Sequence, residues 1–463
     1  MIKFTGEEVE LMIEEQRKFF YTGHTRSIDF RKKQLEKLKE KIKKYEEDIL
    51  HALNRDLGKS EFEAYTNEVG LVLSSIELLI KNIDEWSTPV QVKTPIHFQP
   101  AKSFIVREPY GVVLIIGPFN YPFQLIMEPL IGALISGNTA IVKPSETTVN
   151  TTKIIKKIIE ETFDTCYVRV VEGEKEEVTA LIHASFDYIF FTGSVSVGKV
   201  IMRAAAERLT PITLELGGKS PTIVDQTANL EVAAKRIVWG KFNNTGQTCV
   251  APDYLLVHES VYDKFVKILQ KTIAQFYGQN AQESKDYGRV VNERHFDRLQ
   301  QLIEAEQSFI TFGGKTDRSD LYIEPTIMEN ITWKNPIMED EIFGPILPIM
   351  PYDDLKVAIH QIRQLPKPLA AYFFSEHEKA MDYFLQELSF GGGCINDTVS
   401  HVGNPFLPFG GVGPSGVNAY HGKASFENFT HPKSIMKRSS KLATNIVFPP
   451  YKQKVKLVRS ILK

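Results

Sequence analysis

A chain of 463 residues is long enough for two or three domains, each with its own core. Apolar residues make up 43% and charged residues 24%, and 55 basic against 57 acidic side chains leave a formal charge of −2. With no long block of like charge, that balance argues against nucleic acid as a partner. Three widely separated cysteines, Cys166, Cys249 and Cys394, exclude a disulfide framework and point to a reducing compartment, and the eleven histidines show no HExxH or close pairing that would hold a metal.

The acidic start, Met1 to Arg17, lacks the basic beginning and apolar core of a secretory signal, and no apolar run is long enough to span a bilayer. A cytoplasmic location is expected. Thr5-Gly6-Glu7-Glu8 reads as a capping box opening a first helix. Leu35, Leu38, Ile42, Tyr45 and Ile49, spaced by threes and fours, predict one long amphipathic helix, and a third helical pattern runs from Val69 to Trp86. Val90 to Pro109 then changes to β-prone runs broken by Pro95 and Pro100, an extended hairpin that cannot make a core alone.

From Tyr110 strand-like and helix-like segments alternate: strand Val112 to Ile116, a helical segment to Ser136, strand Ala140 to Val142, helix Thr151 to Phe163, strand Tyr167 to Val171, helix Glu174 to His183, strand Tyr188 to Phe191 and helix Val195 to Arg208. Alternation of this kind predicts a parallel sheet covered by helices, with ligands bound beyond the carboxyl ends of the strands. A second α/β run begins at Ile212 and continues to about Ser400. Pro405 to Gly416 is loop-like, and Lys433 to Lys437 is a strand able to pair with the hairpin.

Cys249 ends Asn243-Asn244-Thr245-Gly246-Gln247-Thr248-Cys249, a small polar loop after the helix-like run Val232 to Phe242. A cysteine on such a turn can present its sulfur to a cleft, whereas an inert structural cysteine is expected among apolar neighbours. Glu215, within Leu214-Glu215-Leu216-Gly217-Gly218-Lys219, puts an acid inside an apolar strand that ends in two glycines. It reads either as a salt-bridged strand end or as a general base whose pKa partial burial would raise.

Asn120, between Pro118 and Pro122, is turn chemistry or a rigid amide donor for an oxyanion. Lys143-Pro144-Ser145-Glu146 follows a strand and is either a solvated ion pair or a holder of ribose hydroxyls. Gly193 to Val200 falls one residue short of a P-loop and has Val200 where magnesium needs a hydroxyl, which leaves a glycine-bearing turn at a helix amino terminus suited to phosphate. Gly411-Val412-Gly413-Pro414-Ser415-Gly416 matches the dinucleotide fingerprint but follows a Pro-rich loop and carries a proline among its amides, so it is discounted.

Together, Pro118-Phe119-Asn120-Tyr121-Pro122, Lys143 to Glu146, Phe191 to Ser194, Leu214 to Lys219, Gly246 to Cys249, Glu341-Ile342-Phe343-Gly344-Pro345 and Pro408 to Gly411 resemble the aldehyde dehydrogenase superfamily, in its order and over nearly the whole chain. Asn120-Tyr121-Pro122, Cys249-Val250-Ala251-Pro252 and the short amino terminus are similar to the class 3 branch, which includes fatty-aldehyde and bacterial diaponeurosporen-aldehyde enzymes. The fold that the resemblance implies is α/β: a Rossmann-type cofactor domain over residues 1–87 and 110–210, a catalytic domain over 211–404, a small β oligomerisation element over 88–109 and 405–440, and a basic tail over 441–463.

The same resemblance implies Cys249 as nucleophile, Asn120 with the Cys249 amide as oxyanion donors, and Glu215 as the base that hydrolyses a thioester. Lys143, Glu146, Gly193, Ser194, Gly198, Glu341 and Phe343 become cofactor residues, with NAD, and NADP as a second cofactor that class 3 relatives also use. A homodimer acting on a small-molecule aldehyde is implied. Cys166 and Cys394 match no catalytic position and are taken as structural. Val417-Asn418-Ala419-Tyr420 departs from the Met-Gly-containing class 3 pattern without touching the catalytic set. Residues 451–463 mix lysines and an arginine with Val455, Leu457, Val458, Ile461 and Leu462, either a helix with a solvated face or a peripheral membrane contact. The rival readings are a coenzyme A-acylating dehydrogenase and, more remotely, a P-loop-like nucleotide-binding protein.

Overall fold

The computed structural model describes residues 4–441, 448–451 and 454–461. Its first sheet has six strands, in the order Gly416–Val417, Ile212–Leu216, Tyr188–Gly193, Val112–Ile116, Thr139–Lys143, Val168–Val170. All neighbours run parallel except the first pair. The chain lays down Val112–Ile116, moves outward through Thr139–Lys143 and Val168–Val170, then crosses back to Tyr188–Gly193. Strand order therefore reverses beside Val112–Ile116, and the crevice at that switch point is where such sheets receive ligands.

Burial on both faces explains the apolar runs. Gln124–Ile135, buried at every position, lies on one face with Ile28–Lys44 and Gly70–Trp86 packed behind it. Gly6–Tyr21 covers the other face beside Lys175–Ile182. The expected capping box is present: the Thr5 hydroxyl accepts from the Glu8 amide and the Glu8 carboxylate accepts from the Thr5 amide. The expected single helix through Leu35 and Ile49 is two, Ile28–Lys44 and Glu46–Leu57, which meet at Tyr45. Their apolar stripe continues across the break, because all five stripe residues stay buried.

Seven strands form the second sheet, in the order Ile310–Phe312, Thr326–Met328, Ile346–Tyr352, Tyr254–His258, Pro221–Val224, Ala370–Phe374, Gly392–Ile395. Only the Ile310–Phe312 edge is antiparallel. A third sheet joins Val90–Val92, Ala101–Pro109 and Thr430–Arg438, with Thr430 opposite Pro109 and Arg438 opposite Ala101. The expected pairing of residues 433–437 with the hairpin is thus present, in a longer register.

Two expected boundaries move. Ile212–Leu216 does not open the second unit at residue 211; it pairs with Tyr188–Gly193 inside the first sheet. Residues 405–429 do not belong with the hairpin either. Gly416–Val417 closes the edge of the first sheet, Gly422–Asn428 packs on Gln124–Ile135 and Gly70–Trp86, and only Thr430–Arg438 joins the small sheet. Both errors have one cause: an alternating strand fits either sheet equally well, and its partner lies far away in the chain. At the carboxyl end Lys454–Ile461 is helical, while the tail residues Lys452, Gln453, Leu462 and Lys463 lie outside the described residues. Among the described residues no helix is long and apolar enough to cross a membrane.

Candidate active site

The helix Leu230–Phe242 stops at an unusual turn. Asn244, Thr245 and Gly246 follow one another with φ of 52°, 55° and 73°. A β-branched residue such as Thr245 avoids that region, so the surroundings must enforce it. Gln247 does so from inside: its amide nitrogen donates to the carbonyls of Asn244 (3.1 Å) and Arg289 (2.9 Å), and its oxygen accepts from the Val291 amide (3.0 Å). Asn244 donates to the carbonyls of Gln247 (3.0 Å) and Asn120 (2.8 Å). Cys249 emerges from this turn half-buried, as a free thiol. Burial pushes its pKa up, and the carboxyls of Glu341 and then Glu215 push it further.

Glu215 sits next to last in the strand Ile212–Leu216, 2% exposed, and neither carboxylate oxygen has a hydrogen-bond partner among the described residues. Burial alone drives its pKa well above the ordinary carboxylate range. An acid kept without an ion pair is not the salt-bridged strand end of the bland reading. The departure at 417–420 lies closer to it than the sequence indicates. Gly416 is the register partner of Glu215, Val417 that of Leu214, and Asn418, at a φ of 67°, donates to the Ile212 carbonyl at 2.8 Å.

Asn120 follows the strand Val112–Ile116 at the switch point and is 3% exposed. Its carbonyl is the acceptor that ties it to Asn244, and the neighbouring Tyr121 hydroxyl is 2.7 Å from the Thr248 hydroxyl, so the two loops are bonded together directly beside Cys249. Glu341 and Phe343 come from the loop after Pro336–Met338. The Glu341 carboxyl accepts the Gly218 amide and is pushed up to about 8 by burial, helped by nearby Asp253. Phe343, at a φ of 49°, turns its ring edge-on to Phe119 with centroids 5.7 Å apart. The thiol, the acid, the amide and Glu341 are thus gathered from four separate stretches of chain.

The cofactor candidates line the carboxyl edge of the first sheet. Lys143 ends its strand almost fully buried and pairs with Glu146, whose side chain is half exposed. Gly193 ends the strand Tyr188–Gly193, and Ser194 caps the helix Val195–Arg208, its hydroxyl accepting from the Val197 amide. A helix amino terminus, a lysine and exposed carboxylates around this crevice fit a dinucleotide, with the dipole suited to its pyrophosphate. Gly198 has a different task from the one expected of it. A Cβ there would lie 2.6 Å from the Leu216 side chain, so this glycine permits close helix–strand packing rather than approach to phosphate. Val200 is exposed on the same helix without the hydroxyl that a P-loop requires.

Further residues shape the site, all but Lys219 of them outside any motif. Lys219 donates to Asp253 (2.5 Å) and to the carbonyls of Ile337 and Asp340, while Asp253 accepts the Ile342 amide, which fixes the loop carrying Glu341. Lys59 and Glu68, fully buried, stand behind Asn120. In the sequence they look like two of many charged residues on amino-terminal helices, and nothing local marks them as interior. Cys394 lies 3.6 Å from the His401 imidazole, and Cys166 is also a half-buried free thiol.

Comparison with known proteins gives the family. The Aldehyde dehydrogenase family matches residues 2–435. The 4,4′-diaponeurosporen-aldehyde dehydrogenase of Staphylococcus aureus is 54% identical over 98% of this chain and 99% of its own length. The dimeric NADP-preferring aldehyde dehydrogenase of Canis lupus familiaris is 44% identical over 93% of this chain and 95% of its own. The solved substrate-bound state of Staphylococcus aureus AldH superposes with a TM-score of 0.97 at 54% identity, covering 98% of this chain and 99% of that one. A family match over nearly the full length, with relatives 54% and 44% identical over almost all of it, makes this chain a member of the aldehyde dehydrogenase family, an NAD(P)-dependent oxidoreductase that converts aldehydes to acids.

Proposed function

We propose that Cys249 attacks the aldehyde carbon of an apolar substrate, long-chain, aromatic or carotenoid-derived, and that Glu215 later directs water at the resulting thioester. The observation that carries this reading is a solitary buried carboxyl sharing its surroundings with a half-buried thiol, in a loop bonded to Asn120. The thiol first loses its proton to solvent; attack by the thiolate then turns the carbonyl oxygen into an oxyanion held by the Asn120 side-chain amide and the Cys249 amide, and one such donor is worth about 3 kcal/mol of barrier. The nicotinamide, when bound, supplies the hydride acceptor that lets the thiohemiacetal become a thioester. Glu215 then takes a proton from water, the hydroxide adds to the thioester carbon, and the thiolate leaves.

With its pKa raised by burial, Glu215 keeps its proton to higher pH than an ordinary carboxyl, and once deprotonated it is the stronger base towards water. A water-activating acid in that place favours hydrolysis over transfer to coenzyme A. Lys143 and Glu146 serve the adenosine ribose, Ser194 the pyrophosphate, Glu341 the nicotinamide ribose, and Phe343 packs near the ring. Support for an apolar substrate comes from the name of the Staphylococcus aureus relative.

Purified protein assayed with short, long-chain and aromatic aldehydes under NAD and NADP tests the proposal. The highest kcat/KM is expected for a long apolar aldehyde, and Cys249→Ala should abolish NADH formation while still binding NAD. A preference for short polar aldehydes would refute the substrate class, and turnover by the alanine variant would refute the nucleophile.

The assembly proposed is a homodimer built on the small sheet. Three strands cannot enclose a core, both outer strands have a free edge among the described residues, and Val90, Val92, Ile96 and Met436 expose apolar surface there.

A further inference from the structure

Behind the Asn120 loop lies an ion pair that the chemistry above does not use. The Lys59 ammonium is 2.5 Å from a Glu68 oxygen, and both side chains are completely buried. Two charges taken out of water are costly, and well-packed apolar residues in their place are often as stable or more so. Stability therefore does not explain the pair. What it does that apolar residues could not is hold a particular stretch of backbone.

Lys59 donates to the Asn120 carbonyl at 2.9 Å and stands over the Tyr121 ring, 4.1 Å from its centroid. The second oxygen of Glu68 accepts the amides of Phe123 (2.9 Å) and Gln124 (3.1 Å), where the helix Gln124–Ile135 begins. The loop is thus gripped on both sides of Tyr121-Pro122, by a cation at its carbonyl end and an anion at its amide end. Asn244, at 2.8 Å, is the other donor to the Asn120 carbonyl, and it belongs to the turn that presents Cys249. With two donors on that oxygen the Asn120 peptide is fixed relative to the thiol. Among the described residues nothing hydrogen-bonds the Asn120 side-chain amide, which leaves it free for a substrate oxygen. Glu68 itself lies in a π-helical turn, Tyr65–Val69, a local irregularity that often accompanies a functional constraint.

We infer that Lys59 and Glu68 are positioning residues for the oxyanion amide, holding the Asn120 peptide in place against the Cys249 turn. The inference rests on the role proposed for Asn120, and the experiment separates the two. The rate of the first NADH burst, with benzaldehyde and saturating NAD, is measured by rapid mixing for wild type, Lys59→Met, Asn120→Ala and the combination. Misplacing a reacting group by about 1 Å can cost on the order of a hundredfold.

Lys59→Met is expected to slow the burst about tenfold to a hundredfold, with the NAD dissociation constant and the KM for benzaldehyde changed less than about threefold. In the Asn120→Ala background the same change should cost less than about twofold, because the group it positions is gone. An unimpaired burst in Lys59→Met, or an equal loss in both backgrounds, overturns the positioning role while leaving Asn120 in place. A normal burst in Asn120→Ala overturns the oxyanion reading and the inference with it. Lys59→Met/Glu68→Gln, which strands no charge, is read by the same criteria should the single variant fail to fold.

Discussion

Glu215 and Glu128 show how burial sets the behaviour of a single side chain. For Glu215, loss of the carboxylate in Glu215→Gln should leave thiohemiacetal formation and one round of hydride transfer intact but stall the thioester. The expected record is a burst of NADH of about one per active site and then turnover slower by two orders of magnitude or more. Steady turnover at the wild-type rate would rule Glu215 out as the base. Glu128, 3% exposed inside the helix Gln124–Ile135 with one oxygen unpartnered, is pushed up to about 8 by burial. Its folded pKa lies above its unfolded one, so the stability that its proton contributes is fully present below the unfolded value and disappears as pH rises to about 8. Glu128→Gln has no proton to lose. Its melting temperature relative to wild type should therefore climb between pH 5 and pH 9, by the equivalent of about a few kcal/mol. A constant difference would contradict the burial argument.

Among the elements, the turn Asn243–Gly246 places three consecutive residues in the left-handed region, and Gly246 is its least replaceable member. At a φ of 73°, a Cβ there would stand 2.3 Å from the Gly344 carbonyl oxygen, in the loop after Phe343. Gly246→Ala is expected to destabilise the fold by about 2–4 kcal/mol and to lower kcat at least tenfold, because the turn aims Cys249. Gly6→Ala, where nothing lies within 4 Å, is the control and should be neutral in denaturant titration. Existence and type of the long elements were legible: Val195–Arg208 falls where the 3.6-residue period put it, and Val112–Ile116 where the apolar run did. The left-handed turn was not: Asn244 and Gly246 tolerate that region, but Thr245 between them avoids it, and Gln247, Arg289 and Gly344 impose it from outside.

For the whole molecule, the proposed homodimer is tested at the small sheet. Met436 is 46% exposed on the outer strand Thr430–Arg438, so Met436→Asp should shift sedimentation from dimer to monomer. A dimer that persists in this variant at micromolar concentration would direct attention to another surface.

The sequence by itself determined the family-bearing motifs and the alternation of strands and helices, since each is written in a few consecutive residues whose types and period suffice. It singled out Cys249, Glu215, Asn120 and Glu341 one motif at a time. Only the tertiary structure decided that Ile212–Leu216 completes the first sheet, that Gly416 lies opposite Glu215, and that Lys59 and Glu68 sit beneath Asn120. Those facts depend on pairing between distant segments. A strand's alternation does not name its neighbour, and a lysine among many lysines does not announce that it is buried.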